Sequence, residues 1–123
     1  MLDHFVIIAT NLSKSKSFYQ KALKPLGYEL RFDFENVISF ASEKTTDPGG
    51  DFWIKEGKNG TPIHFAFNAK SRDAVKAFYQ AGLEAGGADN GAPGLRTQYH
   101  ENYYAAFLID PDGNNVEAVC HLN

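Results

Sequence analysis

The 123-residue sequence is long enough for one domain, or for two half-size modules that share a core. Its 43% hydrophobic content is typical of a globular protein, and a net charge of −3 without runs of like charge excludes the basic surface that nucleic-acid or anionic-membrane binding requires. One cysteine excludes an internal disulfide and a multi-cysteine zinc site. No signal peptide or membrane-length apolar stretch is visible, so we expect a cytoplasmic protein.

The first third of the sequence predicts a strand, a helix and then shorter strands. Residues 2–9 are almost continuously apolar, as in a strand that is covered on both faces. A helix follows, with Asn11 or Ser13 as its N-cap and Gly27 at its end. Three further strands are predicted at 28–33, 37–41 and 51–55.

The chain then repeats itself with an offset of 60 residues. Nine of the 24 residues from His4 to Gly27 are identical to those found 60 positions later, and His4 corresponds to His64. A repeat of this kind indicates two copies of one supersecondary unit. We therefore expect a single domain over 1–123 built from two modules, at about 1–57 and 61–123.

The second module is predicted to follow the same order. A strand at 62–69 precedes a helix that has Ser71 as its N-cap and ends at Gly86 and Gly87. Residues 86–94 are rich in Gly, Ala, Asn and Pro and are predicted to form a long loop, with a short strand as an option near 95–98. Strands at 103–109 and 115–121 are joined by a type I turn with the sequence Asp-Pro-Asp-Gly.

This order predicts an α+β fold: tandem βαβββ modules whose strongly curved, paired sheets form a cleft, with the helices outside. Phe5 and Phe65 continue apolar rows that face the helices, so His4 and His64 point to the opposite face. Glu117 alternates with apolar residues in the last strand and shares that orientation. If the sheets pair, these three side chains converge and suit one divalent ion of Mn, Fe, Co, Ni or Zn.

Other interpretations of these residues stay open. A strand histidine is more often an ordinary polar residue, and Glu117 alone could be a surface charge, but the matched repeat positions of the two histidines favour the metal site. In segment 96–104, Arg96 could hold an anionic substrate group and Tyr99 or His100 could transfer protons, with Tyr103 beside them. The alternative is a surface loop that leads into a strand with ordinary packed aromatic residues.

The repeat, the histidine in the first strand of each module and the closing sequence Asp-Pro-Asp-Gly-Asn-Asn-Val-Glu at 110–117 resemble the glyoxalase-like branch of the vicinal oxygen chelate superfamily. This superfamily contains glyoxalase I, extradiol dioxygenases, fosfomycin-resistance proteins and bleomycin-binding proteins. The resemblance implies that His4, His64 and Glu117 are metal ligands and that Glu117 is also a candidate catalytic base. It further implies pairing of modules within one chain or between two, and we expect a homodimer with two clefts.

The sequence departs from glyoxalase I at the fourth ligand. Enzymes of that type have a glutamate in the last strand of the first module. Alignment of this strand with the strand of Glu117 places Trp53 at that position. Asp51 lies one pleat away on the same face. The remaining set of two histidines and one glutamate is closer to the dioxygenase and fosfomycin-resistance arrangement. Trp53 cannot bind a cation through its N–H group, and it favours a small or planar substrate.

Two functions from different classes follow. The leading hypothesis is a small metalloenzyme of lyase, isomerase or dioxygenase type, whose metal ion chelates vicinal oxygens of a small-molecule substrate. The alternative is a metal-free binding protein of the bleomycin-sequestering kind that stacks a planar ligand on Trp53 and on tyrosines. A purely structural role leaves the matched histidines unexplained.

Overall fold

The computed structural model describes residues 2–58 and 60–123. The first module consists of β1 (Phe5–Ala9), α1 (Leu12–Ala22), a short 3₁₀ helix (Lys24–Leu26), β2 (Glu29–Asp33), β3 (Val37–Ala41) and β4 (Phe52–Glu56). The second consists of β5 (His64–Asn68), α2 (Arg72–Glu84), β6 (Ala88–Leu95), β7 (Tyr104–Ile109) and β8 (Asn115–Cys120). The predicted α+β class and the tandem βαβββ order are confirmed.

Each module contributes one four-stranded mixed sheet. The strand orders are β1-β4-β3-β2 and β5-β8-β7-β6, with the pairs β1–β4 and β5–β8 parallel and the others antiparallel. The edge strands β1 and β5 lie close to one another, since the rings of Phe5 and Phe65 are 5.1 Å apart. The two sheets are therefore joined through side chains at this edge and do not close into a barrel.

Both helices pack on one side of the sheets and share one core. Phe18 of α1 and Phe78 of α2 are fully buried in the same cluster as Phe52 of β4 and Leu108 of β7. Burial of side chains of this size stabilises the fold by about 2 kcal/mol each. At Gly82 in α2 an added Cβ would lie 2.2 Å from Leu108 Cδ1, so a larger residue there would force the buried Leu108 side chain to move.

The helix ends differ in one detail from the sequence prediction. Asn11 and Ser71 cap the two helices as expected, by accepting hydrogen bonds from the backbone N–H groups of residues 14 and 74. However, α1 stops at Ala22 because Pro25 follows three residues later and cannot continue the backbone pattern. Gly27, with φ of +86°, ends the 3₁₀ helix instead.

The loop predicted at 86–94 is wrong, since most of this segment belongs to strand β6. Backbone pairing with β7 outweighs the poor strand propensity of its glycines, because that pairing satisfies the N–H and C=O groups of an edge strand. The pairing is irregular around Gly91, whose φ of +149° belongs to a bulge. The short strand considered near 95–98 is also wrong, since β6 ends at Leu95 and a turn follows.

The sheet faces opposite the helices carry exposed apolar side chains. Val6 is 50% exposed and Ile8 is 36% exposed, whereas Ile7 and Phe67 on the helix-facing side are buried. This alternation leaves the outer face of the β1–β5 edge uncovered within one chain. None of the helices in the described part of the chain has the length and apolar composition to cross a membrane.

Candidate functional site

His64 and Glu117 lie together on the outer face of the second sheet. Strands β5 and β8 run in parallel with Ala66 opposite Glu117, which places His64 one pleat away on the same face. The Nε2 atom of His64 is 3.1 Å from Oε1 of Glu117. The Glu117 side chain is only 2% exposed, whereas that of His64 is 51% exposed, so the pair has one buried and one accessible partner.

The tautomer of His64 follows from its second contact. Its Nδ1 atom lies 3.1 Å from the backbone carbonyl oxygen of Asn115. A carbonyl oxygen only accepts hydrogen bonds, so Nδ1 donates and carries a proton. In the neutral ring, Nε2 then presents a lone pair to the carboxylate of Glu117, which is also an acceptor. Two acceptors at this separation need a proton or a cation shared between them. A histidine whose other ring nitrogen donates to a backbone carbonyl is typical of metal ligands.

Tyr103 completes the surroundings of Glu117. Its hydroxyl group donates a hydrogen bond to Oε2 of Glu117, so the two carboxylate oxygens have different partners. Burial and the adjacent Glu117 carboxylate raise the pKa of Tyr103 to about 12. The phenol therefore stays protonated near neutral pH and holds the carboxylate in a fixed orientation.

Aromatic and imidazole rings surround Tyr103 next to this carboxylate. The ring of Tyr103 lies 4.9 Å from that of Tyr99, 5.3 Å from that of His100 and 5.4 Å from that of His121. His100 Nε2 is 2.8 Å from His121 Nδ1. Three residues proposed from the sequence thus lie together, and His121, which directly follows β8, joins them.

Arg96 lies on the same sheet face, beyond Phe107. The guanidinium carbon of Arg96 is 5.4 Å from the centre of the Phe107 ring, and that ring is 6.1 Å from the ring of His64. Phe107 is opposite Glu117 in the β7–β8 register, and the sequence interpretation missed it. The available signal was alternation along β7, which places Phe107 on the same face as Tyr103.

His4 and Trp53 lie on the other sheet and line a groove of about 420 Å³ together with Val6. Val6 is opposite Trp53 in the register of β1 and β4, as Ala66 is opposite Glu117 in the second module. Trp53 thus occupies the position equivalent to Glu117. Its Nε1 donates to the carbonyl oxygen of Gly50 at 3.1 Å, while the indole ring faces the groove side and not the core.

Two phenylalanines that the sequence interpretation missed extend this aromatic surface. The ring of Phe32 lies 5.8 Å from that of Trp53 and 5.5 Å from that of Phe34. Phe34 is 57% exposed. We call Phe32, Phe34 and Trp53 the aromatic wall of the first module. The sequence had no strong signal for the position of Phe32, because a register shift in β2 between residues 30 and 32 determines the face on which it lies.

A single chain does not bring His4 to the pair of His64 and Glu117. In the described residues, the one group of three metal-binding side chains with ligand atoms within 4.8 Å of each other is Asp3, His4 and Asp47. His4 Nδ1 donates to Asp3 at 2.6 Å, and this bond, followed by the Asp3 and Asp47 charges, raises the pKa of His4. The expected convergence fails within one chain because the sheets meet edge to edge at β1 and β5.

A family model described as Glyoxalase/Bleomycin resistance protein/Dioxygenase superfamily matches residues 1–118. The chain belongs to this superfamily. The resemblance expected from the repeated histidine and the 110–117 sequence is thereby confirmed, and the superfamily fold agrees with the two βαβββ modules. No curated protein matches the chain.

Solved structures support the same assignment. The chain is 30% identical to a glyoxalase/bleomycin resistance protein from Albidiferax ferrireducens, with 96% of each chain covered and a TM-score of 0.78. A superfamily enzyme from Burkholderia phytofirmans has 18% identity, 98% coverage of both chains and a TM-score of 0.71. A glyoxalase-related enzyme from Fulvimarina pelagi has 16% identity, coverage of 98% of this chain and 87% of that chain, and a TM-score of 0.74. At these low identities, the Burkholderia and Fulvimarina structures support the fold of this chain and nothing further.

Proposed function

We propose that this superfamily member is a metal-dependent enzyme in which His64 and Glu117 hold one divalent ion together with His4 of a second chain. The observation that supports the proposal is the 3.1 Å separation of His64 Nε2 and Glu117 Oε1, with Nδ1 already used by a backbone carbonyl. Imidazole and carboxylate donors of this kind suit Mn, Fe, Co, Ni or Zn.

The chemistry follows from this donor set and its neighbours. Bound there, the ion would act as a Lewis acid toward two vicinal oxygens of a small substrate, in a lyase, isomerase or dioxygenase reaction. Tyr103 holds one oxygen of Glu117, so the other stays directed at His64 and can also accept a proton. Arg96 binds an anionic group of the substrate, and Tyr99 and His100 contact the substrate beside Glu117.

A homodimer supplies what one chain lacks. The first sheet carries His4 and Trp53, the second carries His64 and Glu117, and the apolar face at Val6 remains exposed. A two-fold axis that brings the first sheet of each chain against the second sheet of the other buries this face and forms two equivalent clefts. Each cleft then has the complete set of two histidines and one glutamate.

Metal content tests the proposed function. Protein purified without a histidine tag should contain about one equivalent of divalent metal per chain, measured by elemental analysis, in accordance with one complete cleft per chain. His64→Ala should lose the metal and remain folded by circular dichroism. His121→Ala is the matched control, since it removes an imidazole that does not contact Glu117. Full retention of metal by His64→Ala would refute the assignment.

The aromatic wall favours the second candidate function, a metal-free binding protein for planar ligands. Phe32, Phe34 and Trp53 offer stacking surfaces beside the groove of the first module. In that case a planar ligand quenches Trp53 fluorescence equally in wild type and in His64→Ala, both stripped of metal by a chelator. Quenching that requires the metal supports the enzyme instead.

Trp53 also makes one reaction of the superfamily, that of glyoxalase I, unfavourable for this chain. A tryptophan at the position equivalent to Glu117 removes a carboxylate ligand and narrows the groove. We therefore expect weak turnover of the hemithioacetal of methylglyoxal and glutathione with added Ni, Co or Zn. Robust turnover in a spectrophotometric assay would contradict this expectation.

A further inference from the structure

Several contacts hold the guanidinium group of Arg96 over strand β6. Its Nη2 atom donates a hydrogen bond to the backbone carbonyl oxygen of Ala92 at 2.7 Å. Its central carbon lies 5.4 Å from the centre of the Phe107 ring, which is within the range of a cation–π contact. The backbone N–H of Arg96 donates to the carbonyl oxygen of Tyr103 at 2.7 Å, so the main chain is held as well. The position of this cation is therefore part of the fold.

Two glycines of β6 leave the space that the guanidinium group occupies. A Cβ atom added at Gly94 would lie 3.1 Å from Nη1 of Arg96. A Cβ atom added at Gly91 would lie 3.3 Å from Nη2 of Arg96 and 2.9 Å from Cδ1 of Phe107. Larger side chains at these positions would push against the guanidinium group. The glycines that favour a loop in the sequence thus make room for a cation on this face of the sheet.

The internal repeat shows that the fold does not require this space. In the first module Phe32 of β2 is opposite Ser39 of β3, and in the second module Gly91 of β6 is opposite Phe107 of β7. Ser39 and Phe107 hold equivalent positions, because their partners in the next strand are the equivalent tryptophan and glutamate. The first module therefore has a phenylalanine side chain on the strand where the second module leaves room for Arg96.

The guanidinium group of Arg96 keeps donors for a ligand. Arginine has five N–H groups, and the structure gives this side chain one hydrogen-bond acceptor, the carbonyl oxygen of Ala92. None of the ion pairs among residues 2–58 and 60–123 includes Arg96, which is only partly exposed. A partly buried guanidinium group without a counter-ion favours a carboxylate, to which it can donate two parallel hydrogen bonds.

The strand order sets the distance between this cation and the candidate metal site. Glu117 of β8 is opposite Phe107 of β7, and Phe107 is opposite Gly91 of β6. Neighbouring strands are about 4.8 Å apart, so the strand of Glu117 and the strand under Arg96 are separated by about 10 Å. A ligand that reaches both places needs several bonds between its two polar ends. The ring of Phe107 offers an apolar surface between them.

We infer that the substrate is an elongated carboxylic acid whose carboxylate binds Arg96 and whose two vicinal oxygens lie at the other end, next to His64 and Glu117. This inference rests on the proposed function and narrows its substrate class. Phe107 contacts the carbon chain between the two ends. Acids with the carboxylate adjacent to the vicinal oxygens are too short to reach both places. All four residues belong to one sheet of one chain, so the inference does not depend on the dimer.

Matched pairs of hydroxamates test the length and charge of the substrate. Hydroxamates present two vicinal oxygens to a metal ion, and visible absorption of the Co²⁺-loaded chain measures their binding. Adipic acid monohydroxamate should bind at least about tenfold more tightly than hexanohydroxamate, which has a methyl group in place of the carboxylate. Malonic acid monohydroxamate should have no advantage over propanohydroxamate, because its carboxylate is too close to the chelating oxygens. Equal affinities within the longer pair, or an equal advantage in both pairs, would overturn the inference.

Three variants make the test specific. Arg96→Met should remove the advantage of adipic acid monohydroxamate and leave the affinity for hexanohydroxamate unchanged. Gly94→Val should have the same effect, since the added side chain takes the space of the guanidinium group. Arg72→Met should keep the advantage and is the matched control. Arg72 also lies over an aromatic ring, that of Tyr104 at 5.1 Å, and donates to one backbone carbonyl, but Tyr104 packs against the core on the helix-facing side.

The outcomes for these variants assign each contact separately. An unchanged advantage in Arg96→Met would contradict the carboxylate contact. An unchanged advantage in Gly94→Val would contradict the role of the glycines. Loss of the advantage in Arg72→Met as well would show that the net charge of the chain, and not Arg96, causes it.

A metal-free measurement separates this inference from the proposed function. In protein stripped of metal by a chelator, hexanoate should shift the Nε–H signal of Arg96 in nuclear magnetic resonance spectra in a saturable way, because this contact does not use the ion. If the hydroxamates do not bind the Co²⁺-treated chain while hexanoate keeps this effect, the proposed function fails and the carboxylate site is supported. Absence of the shift at about 50 mM hexanoate would overturn the carboxylate site.

Discussion

Individual hydrogen bonds determine which atoms of the candidate site remain available. The backbone carbonyl of Asn115 holds Nδ1 of His64, and the Tyr103 hydroxyl holds Oε2 of Glu117, so Nε2 and Oε1 are the atoms left to face each other. On the first sheet, Asp3 holds Nδ1 of His4 and leaves Nε2 as its ligand atom. All three proposed metal ligands are thus oriented by a neighbour, as is common for metal sites.

Tyr103→Phe tests how much the orientation of Glu117 matters. The variant leaves Oε2 of a nearly buried carboxylate without its donor, so we expect metal affinity to fall about tenfold. Competition with a chromophoric chelator measures the change. Tyr99→Phe is the control, because the Tyr99 ring packs on Tyr103 but its hydroxyl makes no bond to Glu117. Equal affinities for the two variants would show that Tyr103 does not position the ligand.

Asp3→Asn tests the environment of His4. The hydrogen bond from His4 to Asp3 raises the pKa of the ring, so the wild-type imidazole should titrate above 6.5 and the variant closer to it. Because a metal binds only the neutral ring, the variant should also start to bind metal at a lower pH. Imidazole signals followed by nuclear magnetic resonance against pH give both curves. Asp47→Asn should lower the pKa less, since Asp47 acts only through its charge.

Strand alternation was sufficient to predict that His64 and Glu117 share a face, because both lie in regular parallel strands with one clear apolar row. It could not show that Tyr103 bonds to Glu117, since that depends on the turn at 97–102 that returns the chain to β7. It also could not place Phe32, because a bulge changes the face in β2. Local irregularities of this kind have no simple periodic signal.

At the scale of elements, hydrogen bonds to the turn between β7 and β8 connect the second module to the first helix. Asp110 accepts hydrogen bonds from the Tyr19 hydroxyl, from Asn114 and from the backbone of the turn. Asp112 extends the contact to Thr10, just before α1. The Asp-Pro-Asp-Gly-Asn sequence thus connects the modules in addition to starting the strand of Glu117.

Tyr19→Phe should therefore destabilise the whole chain. The change removes a buried hydrogen bond to a carboxylate, which costs about 2 kcal/mol in free energy of unfolding, measured by urea denaturation at pH 7. Burial and the Asp110 carboxylate raise the pKa of Tyr19 well above 10.0. This contribution is complete below the unfolded-state pKa and is lost as pH rises above it, so wild-type stability should fall above about pH 10. Above about pH 10, Tyr19→Phe should lose less of its free energy of unfolding than the wild type does. An equal loss in both proteins would show that Tyr19 does not cause the pH dependence.

The elements themselves were predictable to different degrees. The caps at Asn11 and Ser71 and the turn after β7 have local signals, and the structure confirms them. Strand β6 has no such signal, because its glycines and alanines favour a loop and only the backbone of β7 supplies its hydrogen bonds. Pairing between segments that are distant in sequence determines this element, and local composition misleads.

At the scale of the whole molecule, the candidate ligands are divided between two sheets that do not face each other. His4 lies on the first and His64 with Glu117 on the second, and the sheets meet at the β1–β5 edge. Under the proposed dimer, each cleft combines the first sheet of one chain with the second sheet of the other. Light scattering should therefore give twice the mass of one chain, and a monomer at working concentration would contradict the model.

Mixing of inactive variants tests the shared cleft directly. His4→Ala and His64→Ala should each lose metal, yet a mixed dimer has one cleft with both defects and one intact cleft. After subunit exchange at equal amounts, about a quarter of wild-type metal binding should return, measured by elemental analysis. A mixture of His64→Ala and Glu117→Ala is the control, because these residues share one half of the cleft and no intact cleft forms. Equal recovery in both mixtures would exclude ligands from two chains.

The equivalent registers of Trp53 and Glu117 have a consequence for protein engineering. The duplicated scaffold already offers a strand position for a carboxylate beside each histidine, but only one of the two positions has it. Trp53→Glu would place the second carboxylate at the backbone position that is equivalent to Glu117, without any change of loop or strand length. The two halves of this polypeptide thus provide a starting point for converting the proposed three-ligand centre into a four-ligand one by a change of a single codon.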